Sequence, residues 1–257
     1  MKFMKKAAID FGFKRTGIAF TDPQEKIVSR VETVETSNVL KVLEENQPLS
    51  EIIVGFPINL KMTFTKSTYG AIDAALEIAK YFSFTPVYLM DERFTTNIAS
   101  SMGKKELIDG ISASILLDER LNGAKGSRVF WVIPPISKKV VNLINSFNSK
   151  RLLMIGSALR GLETLYGGTD VEIFEDVPTF FRLRSKNEKY SLHFGIIWDI
   201  ILQRRDLIDL VVCEKDNFEK VREIFKDHAI IVVEGERCEG TFLVGGRWLK
   251  IERESQR

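Results

Sequence analysis

The stretch Lys6-Ala-Ala-Ile-Asp-Phe-Gly-Phe-Lys-Arg-Thr-Gly-Ile-Ala-Phe-Thr-Asp22 sets a carboxylate at the end of a short apolar run and then turns back. Ala7 to Ile9 form an entering strand, Asp10 ends it, and Ile18 to Phe20 form a returning strand. Gly12 and Gly17 are expected to supply the unusual backbone angles such a turn needs. The chain therefore opens with an antiparallel pair. An acid at the end of a buried run is costly unless something neutralises it. A metal ion would do so, Lys14 and Arg15 are weaker substitutes, and a plain hairpin cap is the alternative.

The periodicity that follows extends this opening into a sheet. Lys26 to Glu35 alternates Ile27, Ser29, Val31 and Thr33, the pattern of a half-exposed strand. Ser37 and Asn38 are expected to cap a helix carrying Val39, Leu40, Val42 and Leu43, which Pro48 stops. Ile52-Ile-Val54 is a dense strand, residues 56–67 are a loop at its carboxyl end, and Tyr69 to Phe82 has helical period. Val87 to Met90 is a strand that ends in Asp91-Glu-Arg93, and Lys104 to Leu121 is a helix. Three strands followed by helix, strand, helix, strand and helix predict an antiparallel meander extended by parallel crossovers. Active sites in such open sheets lie at the carboxyl ends of strands. Asp10, the Phe56 loop and Asp91-Glu92 all fall there if the first strand runs parallel to the later two.

The chain has 257 residues, room for a second domain. Residues 122–135 read as a junction and Ile136 to Phe147 as a connecting helix. Arg151 to Ile155, Val171 to Phe174, Asp209 to Cys213 and Ala229 to Val233 read as strands, Asn217 to Lys226 as a helix, and Gly240 to Ile251 as a closing hairpin. The expected division is 1–123, a linker and connecting helix over 124–149, and a second α/β domain over 150–257. A net charge of +2 restricts any nucleic-acid surface to a local patch. Two cysteines make no disulfide framework. With no bilayer-length apolar run and no signal-peptide pattern, a cytoplasmic protein with no membrane contact is expected.

Three acids in the first half stand out: Asp10, Glu92 and Asp109. The first two end strands. The third lies at the edge of the apolar arc Leu107, Ile108, Ile111, Ile115 and Leu116 of its helix, beside the sheet rather than toward solvent. Converging carboxylates repel unless cations bind, and hard oxygen ligands favour Mg²⁺ or Mn²⁺. Two such ions about 3.5–4 Å apart suit phosphodiester hydrolysis. The alternative is three unrelated acids: a hairpin cap, a partner for Arg93 and a helix-terminal charge near Lys104 and Lys105.

Four segments in order decide between these readings: Ile9-Asp-Phe-Gly-Phe-Lys-Arg-Thr-Gly-Ile-Ala-Phe-Thr-Asp22, Ile53-Val-Gly-Phe-Pro-Ile-Asn59, Asp91-Glu-Arg-Phe-Thr-Thr96, and Lys104-Lys-Glu-Leu-Ile-Asp109 with Ala113 and Ile115 to Leu117 behind it. Over about residues 4–123 the chain resembles the YqgF family of RNase H-like nucleases, described as Holliday-junction resolvases and since implicated in maturing the 5′ end of 16S rRNA. The resemblance implies an RNase H-like mixed sheet and an acidic site on Asp10, Glu92 and Asp109. It also implies nucleic-acid contacts from Lys14, Arg15, Asn59 and Arg93, which would position a strand without reading bases. The implied activity is a Mg²⁺- or Mn²⁺-dependent endonuclease on structured RNA or junction DNA, with ribosomal RNA ahead of DNA. One segment departs from the family. Its acidic, Gly-containing turn after the Pro-x-Asn loop is replaced by Leu60-Lys-Met-Thr-Phe-Thr-Lys66. A nucleic-acid-binding protein that keeps the fold with weak or no turnover is the competing reading.

The second domain reads as Rossmann-like with an open role. Gly156-Ser-Ala-Leu-Arg-Gly161 after a strand, with Glu172, Glu175 and Asp176 nearby, is similar to a reduced nucleotide- or S-adenosylmethionine-binding core, but lacks a full Gly-x-Gly fingerprint. Phe180-Phe-Arg-Leu-Arg-Ser-Lys186 is either a strand-gripping surface or an ordinary amphipathic segment, the latter favoured. His193 and His228 are expected to be structural or exposed, Cys213 core, and Trp131, Trp198 and Trp248 core or domain-interface residues.

Overall fold

The computed structural model of the chain describes residues 4–58, 63–92, 108–131, 138–156, 170–185, 190–234, 239–244 and 247–250. The chain divides into two compact units, Met1–Trp131 and Val132–Arg257.

In the first unit, β1 (Lys5–Asp10), β2 (Arg15–Thr21) and β3 (Val28–Glu35) form the expected meander. Next, β4 (Leu49–Phe56) pairs parallel to β1 and β5 (Val87–Asp91) parallel to β4. A short β6 (Ser127–Arg128) pairs antiparallel to β5 and completes the order β3-β2-β1-β4-β5-β6. This last strand falls in the stretch read as a junction. Val129 extends its anchorage, donating its amide to the Val87 carbonyl at 2.8 Å and burying its side chain.

Central β1 is covered on both sides, which explains its unbroken apolar run. On one face Ala8, Ala19, Ile53 and Met90 pack against Ala113, Leu116 and Leu117 of α3 (Ile108–Leu121). The small side chains of Ala8, Ala19 and Ala113 let this helix lie close. Fully burying a side chain such as Leu116 contributes about 1.5–3 kcal/mol. A second helix, α2 (Lys66–Tyr81), buries Ala71, Ile72, Ala75, Ile78 and Ala79 and packs on β4 and β5. It begins three residues before the expected Tyr69 because Thr65 and Thr68 form a reciprocal capping box. The expected Ser37/Asn38 cap is not made. Thr36–Asn38 is a 3₁₀ turn, and Asn38 has a near-helical backbone (φ −96°, ψ −3°) that keeps its side chain from the first amides of α1 (Val39–Glu45).

The second unit is built on parallel strands β7 (Arg151–Ile155), β8 (Asp170–Glu175), β9 (Ser191–Phe194), β10 (Leu210–Glu214) and β11 (Ala229–Glu234). The hairpin β12 (Glu239–Val244) and β13 (Arg247–Lys250) continues the sheet, in the order β13-β12-β11-β10-β7-β8-β9. The chain leaves β7 toward one edge and returns on its other side at β10, the doubly wound pattern expected. Alternate residues feed two cores. Leu152, Met154, Leu210, Val212 and Ile231 face one, with Ile144 of α4 (Lys138–Ser146). Leu153, Ile155, Val211, Cys213 and Ile230 face the other, with Phe218 and Val221 of α7 (Phe218–Ile224). Two shorter helices are α5 (Pro178–Arg184), with proline in its first turn, and α6 (Trp198–Gln203). Among the described residues no helix is long and apolar enough to cross a membrane. The molecule is thus α/β throughout, a mixed sheet followed by a Rossmann-like one.

Candidate active site

Alternation along the strands aims the site. Ala8, Ala19, Ile53 and Met90 all face α3, so the residues two positions along their strands share that face at the carboxyl edge of β1. These are Asp10, Gly17, Gly55 and Glu92. Asp10 pairs with Gly17 on one side, and on the other it follows Ile9, the partner of Val54, which sets it beside Gly55. Reading across β2, β1, β4 and β5, the rim is therefore glycine, acid, glycine, acid.

The glycines are there for space. Gly12 and Gly17 were expected to adopt unusual backbone angles, yet among the described residues only Gly123, Gly156 and Gly195 have a positive-φ glycine backbone. A Cβ on Gly17 would overlap the Asp109 carbonyl oxygen and lie 2.7 Å from the Gly110 nitrogen. The bare strand lets the first described turn of α3 press onto β2 and carries Asp109 to the rim. A Cβ on Gly55 would overlap the Glu92 carboxylate. That gap lets Glu92, which follows β5, lie over β4 toward Asp10. Gly12 is tight for a third reason, since its Cβ would overlap the Arg15 carbonyl across the turn.

Each acid has a distinct setting. Burial pushes the Asp10 carboxyl up to about 6, the Asp109 charge adds to this, and a hydrogen bond from the Ser112 hydroxyl works against it. Ser112 is itself buried and lies one turn along α3 from Asp109. Burial also pushes Glu92, only 8 % exposed, up to about 8, with the Asp10 and Asp91 charges adding to it. Asp109 is one-third exposed, and its carboxylate lies 3.9 Å from Nε of Arg15. The acid at the amino end of the same sheet behaves differently. Glu51 accepts from Lys6 at 2.7 Å and from two nitrogens of Arg120 at 2.8 and 3.1 Å.

Asp10, Glu92 and Asp109 thus share one rim, where the Asp109 charge reaches Asp10 and the Asp10 charge reaches Glu92. Among the described residues, no group of three or more His, Cys, Asp or Glu side chains is gathered tightly enough to hold a metal ion. The donor chemistry nonetheless suits a hard divalent cation: all oxygen, anionic, and with an electrostatic cost that a cation would remove.

The turn from Phe11 to Lys14 is held from below. The Gly12 carbonyl accepts from the hydroxyls of Thr36 at 2.6 Å and Thr16 at 3.4 Å, and the Lys14 carbonyl accepts from the Thr36 amide at 3.1 Å. Phe13, Lys14 and Arg15 point out, all exposed. Two expected nucleic-acid contacts, Asn59 and Arg93, lie outside the described residues, as do Leu60, Lys61 and Met62 of the Leu60–Lys66 segment. Lys66 is described, and its ammonium lies 5.0 Å from the Phe13 ring centroid.

The second unit's candidates are largely engaged within it. Glu172 accepts from Arg204 at 2.8 Å and is hydrogen-bonded to His193 Nε2 at 2.8 Å, and His193 stacks on Phe174. Glu175 and Arg184 form a buried ion pair, and Phe180 and Arg184 of α5 are buried while Phe181, Arg182 and Leu183 are half-buried, the pattern of an amphipathic segment; Lys186 lies outside the described residues. Gly156 has φ +92° and abuts Glu214, while residues 157–161 lie outside the described residues. A cavity of about 500 Å³ is lined by Arg151, Asp170, Glu172, Tyr190, Ser191 and Arg204. It opens at the amino ends of β7, β8 and β9, away from Gly156. Cys213 is core, its thiol pushed up to about 12 by burial. Trp198 packs on a core, whereas Trp131 is 42 % exposed and so is not a core residue. Cys238 lies outside the described residues, and of the side chain of Trp248 nothing is described.

A family model described as RuvX, Holliday junction resolvase, matches residues 4–123. A protein of Christiangramia forsetii named "Putative pre-16S rRNA nuclease" is 35 % identical over 124 residues, covering 43 % of this chain and 92 % of that protein. One of the same name from Porphyromonas gingivalis is 33 % identical over 129 residues, covering 45 % and 94 %. The solved structure of Thermus thermophilus RuvC with a Holliday junction substrate is 18 % identical, covers 48 % of this chain and 99 % of that one, and superposes with a TM-score of 0.35, too loose to argue from. The four segments quoted from the sequence, the strand order that brings their acids to one rim, and relatives matched over nearly their full length lead to one assignment: through its first unit, the chain belongs to the RuvX (YqgF) family of nucleases.

Proposed function

We propose that this chain is a divalent-cation-dependent endonuclease that trims the 5′ end of pre-16S rRNA, with Asp10, Glu92 and Asp109 as its cation-holding acids. The observation that carries this reading is the glycine–acid alternation at the rim, where Gly17 and Gly55 leave the room that Asp109 and Glu92 occupy beside Asp10. Bound Mg²⁺ or Mn²⁺ would supply an activated water and stabilise the leaving oxygen. The protein's own groups do the positioning. Ser112 orients the Asp10 carboxylate, the Gly55 gap orients Glu92, and Arg15 reaches Asp109 from the turn. Lys14 and Arg15, with Asn59 and Arg93, would hold the phosphates on either side of the cleaved bond. The choice of RNA follows the names of the relatives. We propose a nuclease domain over 1–123 whose sheet is completed by β6 and Val129 at the start of the 124–149 linker and connecting helix, and a Rossmann-like domain with a role of its own over 150–257, in a cytoplasmic protein.

A second reading, a binder with little turnover, is favoured by Lys66 where the family carries an acidic turn. One experiment separates them: end-labelled RNA carrying the 5′ extension and four-way junction DNA, each with Mg²⁺, Mn²⁺ or EDTA, with Asp10→Asn alongside. Cation-dependent cutting of the RNA that is lost in the variant is expected. Cutting of junction DNA alone would move the substrate to DNA. Retarded RNA with no cutting in any lane would leave the binder.

A further inference from the structure

Phe13 stands 53 % exposed at the tip of the β1–β2 turn, three residues from Asp10. Single exposed apolar side chains are ordinary, but this one is held in place. Its ring meets Phe11 edge-to-face, centroids 5.5 Å apart at 76°. Both rings lie against α2 where it is bare: a Cβ on Gly70 would sit 2.8 Å from Phe11 and 2.9 Å from Phe13. The turn beneath is pinned through the Gly12 carbonyl by Thr16 and Thr36. The Lys66 ammonium of α2 lies over the ring, 5.0 Å from its centroid, and the next two residues of the turn, Lys14 and Arg15, are exposed cations.

We propose that Phe13 is a stacking platform for an unpaired base of the RNA strand beside the cleaved phosphate, with Lys14, Arg15 and Lys66 holding the adjoining phosphates. The choice of RNA rests on the nuclease reading above. An exposed, packed ring with cations beside it along the chain suits a single strand, because every base has a π-face and each nucleotide brings a negative charge. An exposed cation–π contact is weaker than a base stacked on an aromatic ring, so an arriving base displaces the Lys66 ammonium and leaves it free for the phosphate. The departure at Lys66 then acquires a use: the cation exchanges between ring and strand.

The test measures binding apart from cleavage, on full-length Asp10→Asn protein in EDTA, by fluorescence anisotropy with single-stranded oligoadenylate and with a blunt RNA duplex. Phe13→Ala is expected to weaken single-strand binding about tenfold and leave duplex binding within about twofold. Phe13→Trp is expected to restore it. Phe13→Leu, which keeps an apolar contact with Phe11 and α2, is expected to stay weak while melting like the parent. Single-strand binding unchanged in Phe13→Ala, equal loss on duplex, or full rescue by Phe13→Leu would overturn the proposal and assign Phe13 to packing. Cleavage by the parent chain is followed in parallel. Its failure would remove the nuclease reading and leave the stacking result standing.

Discussion

Asp10 couples stability to pH with an unusual sign. Its ordinary value of 3.8 rises to about 6 in the folded chain, so the folded state binds a proton more tightly than the unfolded one. The stability this gives is fully present below the unfolded value and is lost as pH rises through the folded one. Glu92 adds the same trend between 4.5 and about 8. Without divalent cation, Asp10→Asn should therefore melt higher than the parent at about pH 8, by on the order of 2 kcal/mol, with the gap closing toward about pH 4. The same variant should lose cleavage by at least about 100-fold. Thermal melts across pH and timed cleavage of labelled RNA check the two halves. A variant less stable than the parent at high pH would mean that Asp10 is not electrostatically burdened. Ser112→Ala should move Asp10 further up and shift the acid limb of the pH–rate profile to higher pH with little loss at the plateau. A uniform loss at every pH would assign Ser112 to packing instead.

Between elements, the site depends on what the strands omit. Gly17→Ala sets a methyl group against the backbone of α3, which cannot swing aside as a side chain can. It should cost about 1–3 kcal/mol and reduce cleavage together with Asp109→Asn rather than additively. Gly55→Ala meets only the Glu92 side chain, so it should cost less stability and still impair cleavage. Denaturant melts and a double-mutant comparison check both. These spacings were not legible in the sequence, because Gly17, Asp10 and Gly55 become neighbours only through strand pairing. The meander and the parallel crossovers were legible, since periods of 2 and 3.6 are local. Glycine in a hairpin suggested backbone angles, and the actual reason, room for a helix more than ninety residues away, has no local signal. Ser112 had one, its place one turn beyond Asp109. The early start of α2 came from a Thr65–Thr68 capping box inside what read as loop, and β9 was missed because Ser-Leu-His-Phe is too short to show a period.

At the scale of the whole molecule, the family resemblance stops at residue 123 while a second unit continues to the end. That unit contains the buried Glu175–Arg184 ion pair, in which burial pushes the Glu175 carboxyl up and the Arg184 charge pulls it down. Removing one partner of such a pair costs about 3–5 kcal/mol. Arg184→Met should therefore lower one of two calorimetric transitions and leave RNA cleavage within about twofold of the parent; loss of cleavage along with that transition would tie the second unit to catalysis. The account as a whole turns on whether Asp10, Glu92 and Asp109 form one cation site. Titration calorimetry of Mn²⁺ into the intact protein, and into Asp10→Asn, Glu92→Gln and Asp109→Asn, tests this most directly. The account predicts binding accompanied by proton release in the parent, because burial and the neighbouring acids hold Glu92 well above the usual carboxylate range, and weakening by each of the three substitutions. Mn²⁺ binding that is absent, or untouched by all three, would contradict it.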